Sequence, residues 1–335
     1  MKKRRILIFV VLLTCALTAS AQKVYQVNRL VDSVLAVRYY RSNIDTAYVE
    51  RPQTKWTLKG RINVTGAGIA AEGLDNGTPF KTELDANRKT TLSIGVSYLG
   101  LGVNLSINPA KMLGEYHDYE IGFRSYGKRL GYELTYQDAS NFQGWSEWNG
   151  DKQRVTTTED MFRLQTVNAN GYFVFNHRRF SYPAAFAHSY IQRRSAGSAL
   201  LAISGQWQRG KVKGEEQGPD NERETMNFKM LNVGLGAGYG YNYVPGHNWQ
   251  LHISALPTLI VYSHTSITMN DQRIPLHYQF PEVIITGRAA IVKQIGSNMF
   301  AGFSSVYNFS KIGTENDLTI RNEKWLTRLY FGVRL

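Results

Sequence analysis

The chain has 335 residues, with 39 Lys and Arg against 26 Asp and Glu and a single cysteine, Cys15. One cysteine excludes a disulfide framework. A cation surplus on a chain that opens like an exported one points to lipid phosphates, acidic glycans or anionic solutes rather than nucleic acid.

At the N-terminus, Lys2, Lys3, Arg4 and Arg5 precede the apolar run Ile6 to Leu13, and Ala19-Ser20-Ala21 forms a small-x-small site. This reads as a cleaved signal peptide over residues 1–21, so Gln22 is expected to begin the mature chain. Cys15 falls inside that signal. A lipid anchor there would need Gly, Ala or Ser where Thr14 stands. Without the four leading cations, 35 basic residues face 26 acidic ones over 314 residues, a balance of +9. Residues 22–54 read as a periplasmic leader. Within it Leu30, Val34 and Val37 are readable as a short amphipathic helix. Past the signal no run approaches about 18 consecutive apolar residues, so a transmembrane helix has no candidate.

From Lys55 the side-chain period becomes two, the signature of a strand with one oily and one polar face. Trp56, Leu58, Ile62 and Val64 alternate with Lys55, Lys59, Arg61 and Asn63. Leu92 to Tyr98 and Leu101 to Ile107 form a hairpin around Leu99-Gly100. Tyr119 to Phe123 and Leu130 to Tyr136 form another around Gly127-Lys128. Further strands are expected over 161–175, 196–208, 227–243, 249–263, 282–294, 298–309 and 325–335. In the last, Trp325, Leu329, Phe331, Val333 and Leu335 face one way, and Arg328, Tyr330, Gly332 and Arg334 the other.

That gives about twelve strands, many near the nine to eleven residues a tilted strand needs to cross a bilayer. The connections alternate in length. Those at 66–88, 109–117, 139–160, 209–226, 264–281 and 310–324 are long. Those at Leu99-Gly100, 127–129, 244–248 and 295–297 are short. Long loops on one side and short turns on the other are the habit of transmembrane barrels. The fold class is therefore all-β: an antiparallel transmembrane β-barrel over 55–335, in the outer membrane of a Gram-negative-type cell, with both termini periplasmic.

One expected short turn is long. Asn176 to Ser195 carries Phe180, Tyr182, Pro183, Phe186, Arg193 and Arg194, read as a plug or gate, or more plainly as a packed cap. The segment also supports a resemblance. Phe180-Ser-Tyr-Pro-Ala-Ala-Phe186 with Gln192-Arg-Arg-Ser-Ala-Gly-Ser198 resembles the hallmark of the outer-membrane family named domain of unknown function 4421. Asp45-Thr-Ala-Tyr-Val-Glu-Arg-Pro52 with Lys55-Trp-Thr-Leu58 is similar to that family's N-terminal motif, and Gly95-Val-Ser-Tyr98 with Gly100-Leu-Gly-Val103 to its first hairpin. The resemblance spans about Asp45 to Leu335. It implies an outer-membrane barrel and lends no activity.

No nucleophile elbow, P-loop or zinc-protease motif is present. Seven histidines are scattered without metal-ligand spacing, so neither metal nor cofactor is expected. His188-Ser189 with Ser195 could serve a lipid-modifying enzyme only if an imidazole reached a hydroxyl. The polar faces say more. Lys59, Arg61, Arg124, Arg288, Arg328 and Arg334 are expected to line the lumen against only Glu120 and Glu133. The leading functional expectation is a passive channel or binding pore for small anionic solutes or a glycan. An outer-membrane lipid-modifying enzyme and a closed structural or adhesive barrel remain alternatives, the latter using loop residues Trp145 and Trp148. Outer-membrane lipids and the barrel-assembly machinery are the expected partners.

Overall fold

The computed structural model describes residues 43–75, 77–98, 101–109, 119–158, 160–217, 222–269, 272–274, 282–313 and 318–335. The signal, Cys15 and the leader helix lie outside them. In chain order the strands are β1 (Val49–Glu50), β2 (Trp56–Asp75), β3 (Thr78–Ala86), β4 (Lys89–Tyr98), β5 (Leu101–Ile107), β6 (Tyr119–Tyr126), β7 (Leu130–Ala139), β8 (Phe142–Trp148) and β9 (Asp151–Thr156). They continue as β10 (Phe162–Val174), β11 (Ile191–Gln192), β12 (Ala196–Gln217), β13 (Glu222–Gly246), β14 (Trp249–Met269), β15 (Gln272–Ile274), β16 (Val283–Ile295), β17 (Met299–Gly313) and β18 (Leu318–Arg334). A short helix, α1 (Tyr182–Phe186), lies between β10 and β11.

Every ladder is antiparallel. One path runs β5–β4–β2–β18–β17–β16–β14–β13–β12–β10–β7–β6. The last strand pairs with the first long one along its length, from Arg334↔Thr57 to Leu318↔Gly73. The sheet curls around an interior. Lys324 on β18 reaches Glu120 on β6 at 3.0 Å, and Arg288 on β16 reaches Glu133 on β7 at 3.3 Å.

Period two gives each strand two fates. On β18, Arg328, Tyr330 and Arg334 are buried inside, while Leu329 and Phe331 are 58% and 49% exposed outside. Ile94, Phe123, Leu130, Ile203, Leu235 and Ile253 extend this exposed apolar belt over other strands. Such a surface is far too apolar for water but suits lipid.

The strands are longer than expected, and segments read as loops are partly sheet. β12 and β13 pair as far as Gln217↔Glu222. The 66–88 connection is the upper half of β2 plus β3, and 139–160 is largely the β8–β9 hairpin, which pairs with β3. The described residues hold eighteen strand segments against about twelve expected. The extra ones, β1, β3, β8, β9, β11 and β15, arise in segments read as leader, loop or plug. In β3 the outward face is charged rather than apolar, with Lys81, Glu83 and Asp85 alternating with Phe80, Leu84 and Ala86. A clear local signal remained, however. Asn149-Gly150, both at positive φ, closes β8–β9 as a two-residue turn, the pair that best fits such a turn.

Candidate functional site

The segment after β10 folds inward at the end of the barrel where Trp56 and Leu335 pair through their backbones. Ser181 caps α1, its hydroxyl accepting from the Ala184 N–H at 3.2 Å. Pro183 stands in the first turn, where no N–H is needed. His188 leaves the helix at φ 63°, a reversal that ends it. Phe180, Tyr182, Pro183 and Phe186 are all buried. Their rings pack on Tyr126, Tyr172 and His252, and on Leu200, Leu256 and Ala290 of the barrel wall. The Tyr182 hydroxyl donates to Ser254 at 2.8 Å, so its polar tip is satisfied in a dry place. Burying aromatic rings of this size is worth roughly 1.5–3 kcal/mol each, enough to hold a short segment that has little helical stability of its own. Arg193 and Arg194, also read as plug residues, stay outside it. Arg193 pairs with Glu50, and Arg194 lies over the Tyr48 ring.

Residues read as leader fasten this plug. Val49 and Glu50 of β1 pair with Gln192 and Ile191 of β11. Arg179 binds Asp45 at 3.0 Å, and the Asp45 N–H donates to the Arg178 carbonyl. The buried Gln192 side chain joins strap, plug and wall. Its amide N–H groups reach the carbonyls of Arg179, Arg194 and Tyr48, and its oxygen accepts from Ser181 N–H and Asn242. The two motifs far apart in sequence, 45–52 and 180–198, thus pack on one another. Gln192 and Asn242 escaped the sequence reading, since an amide in a polar run gives no sign of burial.

The six lumen candidates all point inward but divide into three pairs. Lys59 donates to the Ala187 carbonyl at 2.6 Å, and Arg334 donates to the His188 carbonyl at 3.3 Å and to Gln294. These two satisfy the carbonyls of the C-cap residue and of the residue just past the plug helix. Arg288 binds Glu133, which also accepts from the Tyr126 hydroxyl, and Arg124 lies 3.7 Å from Glu120. Lys324 holds Glu120 more closely, at 3.0 Å, so both acids are paired. Arg61 and Arg328 have no carboxylate within ion-pair distance among the described residues. Arg328 does reach the Tyr126 hydroxyl. Both line a cavity of about 410 Å³ above the plug, together with Lys59, Lys89, Arg124, Tyr126, His188 and the paired acid Glu120. Gly95 makes room there, because a methyl at that position would crowd the Arg61 guanidinium and overlap Asn104. A smaller cavity of about 100 Å³ lies higher, beyond Arg124.

His188 is 2% exposed, with its ring stacked 4.6 Å from Phe300 and 4.3 Å from Tyr330. Neither ring nitrogen has a hydrogen-bond partner, the neighbouring Ala187 carbonyl being taken by Lys59. Burial, reinforced by Lys59, Arg61 and Arg334, holds its pKa well below the usual imidazole range, so the ring is neutral. The hydroxyl of Ser195 is engaged elsewhere, accepting from the Val244 N–H at 2.9 Å. The residues of the enzyme alternative are therefore not assembled as nucleophile and base. Among the described residues, no three His, Cys, Asp or Glu side chains converge as a metal site. Trp145 and Trp148 are half-exposed on β8, under Lys152 and against Phe80 respectively.

No curated protein matches the chain. Among solved structures it is similar to the outer membrane protease OmpT from Escherichia coli, at 8% identity and a TM-score of 0.45, covering 85% of this chain and 97% of that one. It is also similar to the outer membrane protein OprG from Pseudomonas aeruginosa, at 9% identity and a TM-score of 0.28, covering 85% and 98%. A third likeness is to the P. putida toluene transporter TodX, at 7% identity and a TM-score of 0.25, covering 84% and 90%. The family model described as domain of unknown function (DUF4421) matches residues 43–335, which takes in strap, plug and barrel, and the chain belongs to that family.

Proposed function

We propose that the protein is an outer-membrane barrel, its strapped end in the periplasm, that holds small anionic solutes in a cationic chamber above a plug. The exposed apolar belt supports the membrane location, and the strap and short turns support the orientation. The observation that carries the functional reading is the pair Arg61 and Arg328, which line a cavity of about 410 Å³ and, among the described residues, have no carboxylate within ion-pair distance. A desolvated charge is costly unless paired, and water or an anion in the chamber supplies the missing partner. With the plug seated the pore is closed on one side, so passage requires its displacement.

Planar bilayers test this reading. Wild-type protein is expected to conduct little, and a variant lacking residues 181–191 to conduct well above it, with preference for anions. Arg61→Gln with Arg328→Gln in that deletion should lower the preference. A deletion variant that inserts and folds, yet conducts no more than bare lipid, sinks the pore reading.

A further inference from the structure

The groups that face the chamber without a carboxylate come from two different parts of the molecule. Arg61 and Arg328 belong to the wall. Arg61 stands opposite Tyr330 in the β2–β18 register, and Arg328 is two residues further along the same inner face. His188 belongs to the plug. Its ring is fixed in place: a methyl at Gly332 would overlap Phe300, and one at Gly302 would overlap the Tyr330 hydroxyl, so two glycines shape the slot that holds it. A buried polar group left unsatisfied costs about 1–3 kcal/mol. Yet His188 keeps both ring nitrogens unpartnered, on the cavity that Arg61 and Arg328 also line.

Resting on the anion-binding reading above, we infer that the chamber takes a phosphate-class oxyanion bound jointly by Arg61, Arg328 and His188, and that its binding fastens the plug. Guanidinium forks match the oxygen pairs of phosphate, and several equivalent oxygens let one ligand serve three donors at once. A halide has no directional acceptors, and a lone carboxylate is used up by one fork. The neutral imidazole contributes one N–H without adding charge. The sign of the coupling follows from the geometry. A ligand that touches both wall and plug binds the plugged state more tightly than a state with His188 withdrawn, and it shifts the population toward closure. The anion is thus a lock rather than a key.

The test places a cysteine at the buried Ala184, in a Cys15→Ser background, and follows its reaction with a water-soluble maleimide in non-ionic detergent. Inorganic phosphate should slow labelling by about tenfold at roughly ten times its Kd, while potassium chloride of equal ionic strength should not. A parallel arm with short-chain phosphatidic acid separates the sources: protection by that lipid alone assigns a headgroup, and protection by inorganic phosphate assigns a free solute. His188→Phe, which keeps the aromatic stack, should still bind radiolabelled phosphate but lose the protection. Arg61→Gln should lose both, its fold being checked by heat-modifiable migration. Phosphate that binds wild type without slowing labelling, or that speeds it, overturns the lock and leaves the solute-binding reading standing. Protection matched by chloride also overturns it. Absence of any bound phosphate or lipid removes both.

Discussion

Lys59 and Arg61 sit two residues apart on β2, and Arg328 and Arg334 six apart on β18, all facing the same interior, yet the two levels of the lumen use them differently. At the plug level, Lys59 and Arg334 spend their charge on the carbonyls of Ala187 and His188. One level up, Arg61 and Arg328 line a cavity whose one acid, Glu120, is held by Lys324 and Arg124, so among the described residues neither has a carboxylate within ion-pair distance. The lesson is that a cation-rich face is not one site. A cation's role depends on what the rest of the chain brings opposite it. At the floor that is backbone; in the chamber the place is open to a ligand.

Four measurements test this contrast. At the packed level, Phe180→Ala removes a fully buried ring and should cost about 3–5 kcal/mol, read as a lower urea midpoint in micelles. A loss below about 1 kcal/mol would mean that the plug is only loosely seated. At the border of the two levels, Glu133→Gln strands the buried Arg288 and should cost about 3 kcal/mol, with Arg288→Met in the same chain recovering most of it. A full cost in the double variant would show that the pair does more than cancel charge.

The third outcome concerns pH. The folded pKa of His188 lies below its unfolded value near 6.5, so the unfolded chain binds the proton first. Stability is therefore full above about pH 6.5 and falls as pH drops below it, at no more than about 1.4 kcal/mol per unit. Urea midpoints between pH 7 and 5.5 should show this decline, and His188→Phe should flatten it. An unchanged slope in that variant would place the proton elsewhere. The smallest effect belongs to the strap's exposed pair. Arg193→Ala, which leaves Glu50 in water, should change stability by less than about 1 kcal/mol, whereas truncation of Gln192 should do more.

Much of this was legible in the residues. Alternation told which face of β18 meets lipid, since a period of two needs no knowledge of neighbours. The length of 176–195 marked it as anomalous, and its aromatics marked it as packed. The ends of the strands were not legible. Beyond the apolar belt, as in Lys211 and Lys213 of β12 or Lys81 and Glu83 of β3, the outward face turns charged and no longer carries the apolar half of the pattern, although the ladder continues. The β8–β9 hairpin was within reach through Asn149-Gly150, but the polar residues around it read as loop.

The strands' faces, the barrel class and the inward register of six cations could be read from the residues alone, because these follow from local periodicity and from the scarcity of other apolar runs. What each cation does depends on contacts between distant strands. Glu133 meets Arg288, and Ala187 meets Lys59, through the curl of the sheet and the inward fold of the plug. Those contacts span 128 residues and more along the chain. No local pattern encodes which charges end up sharing a low-dielectric interior, and that sharing is what separates a lumen filler from a binding group.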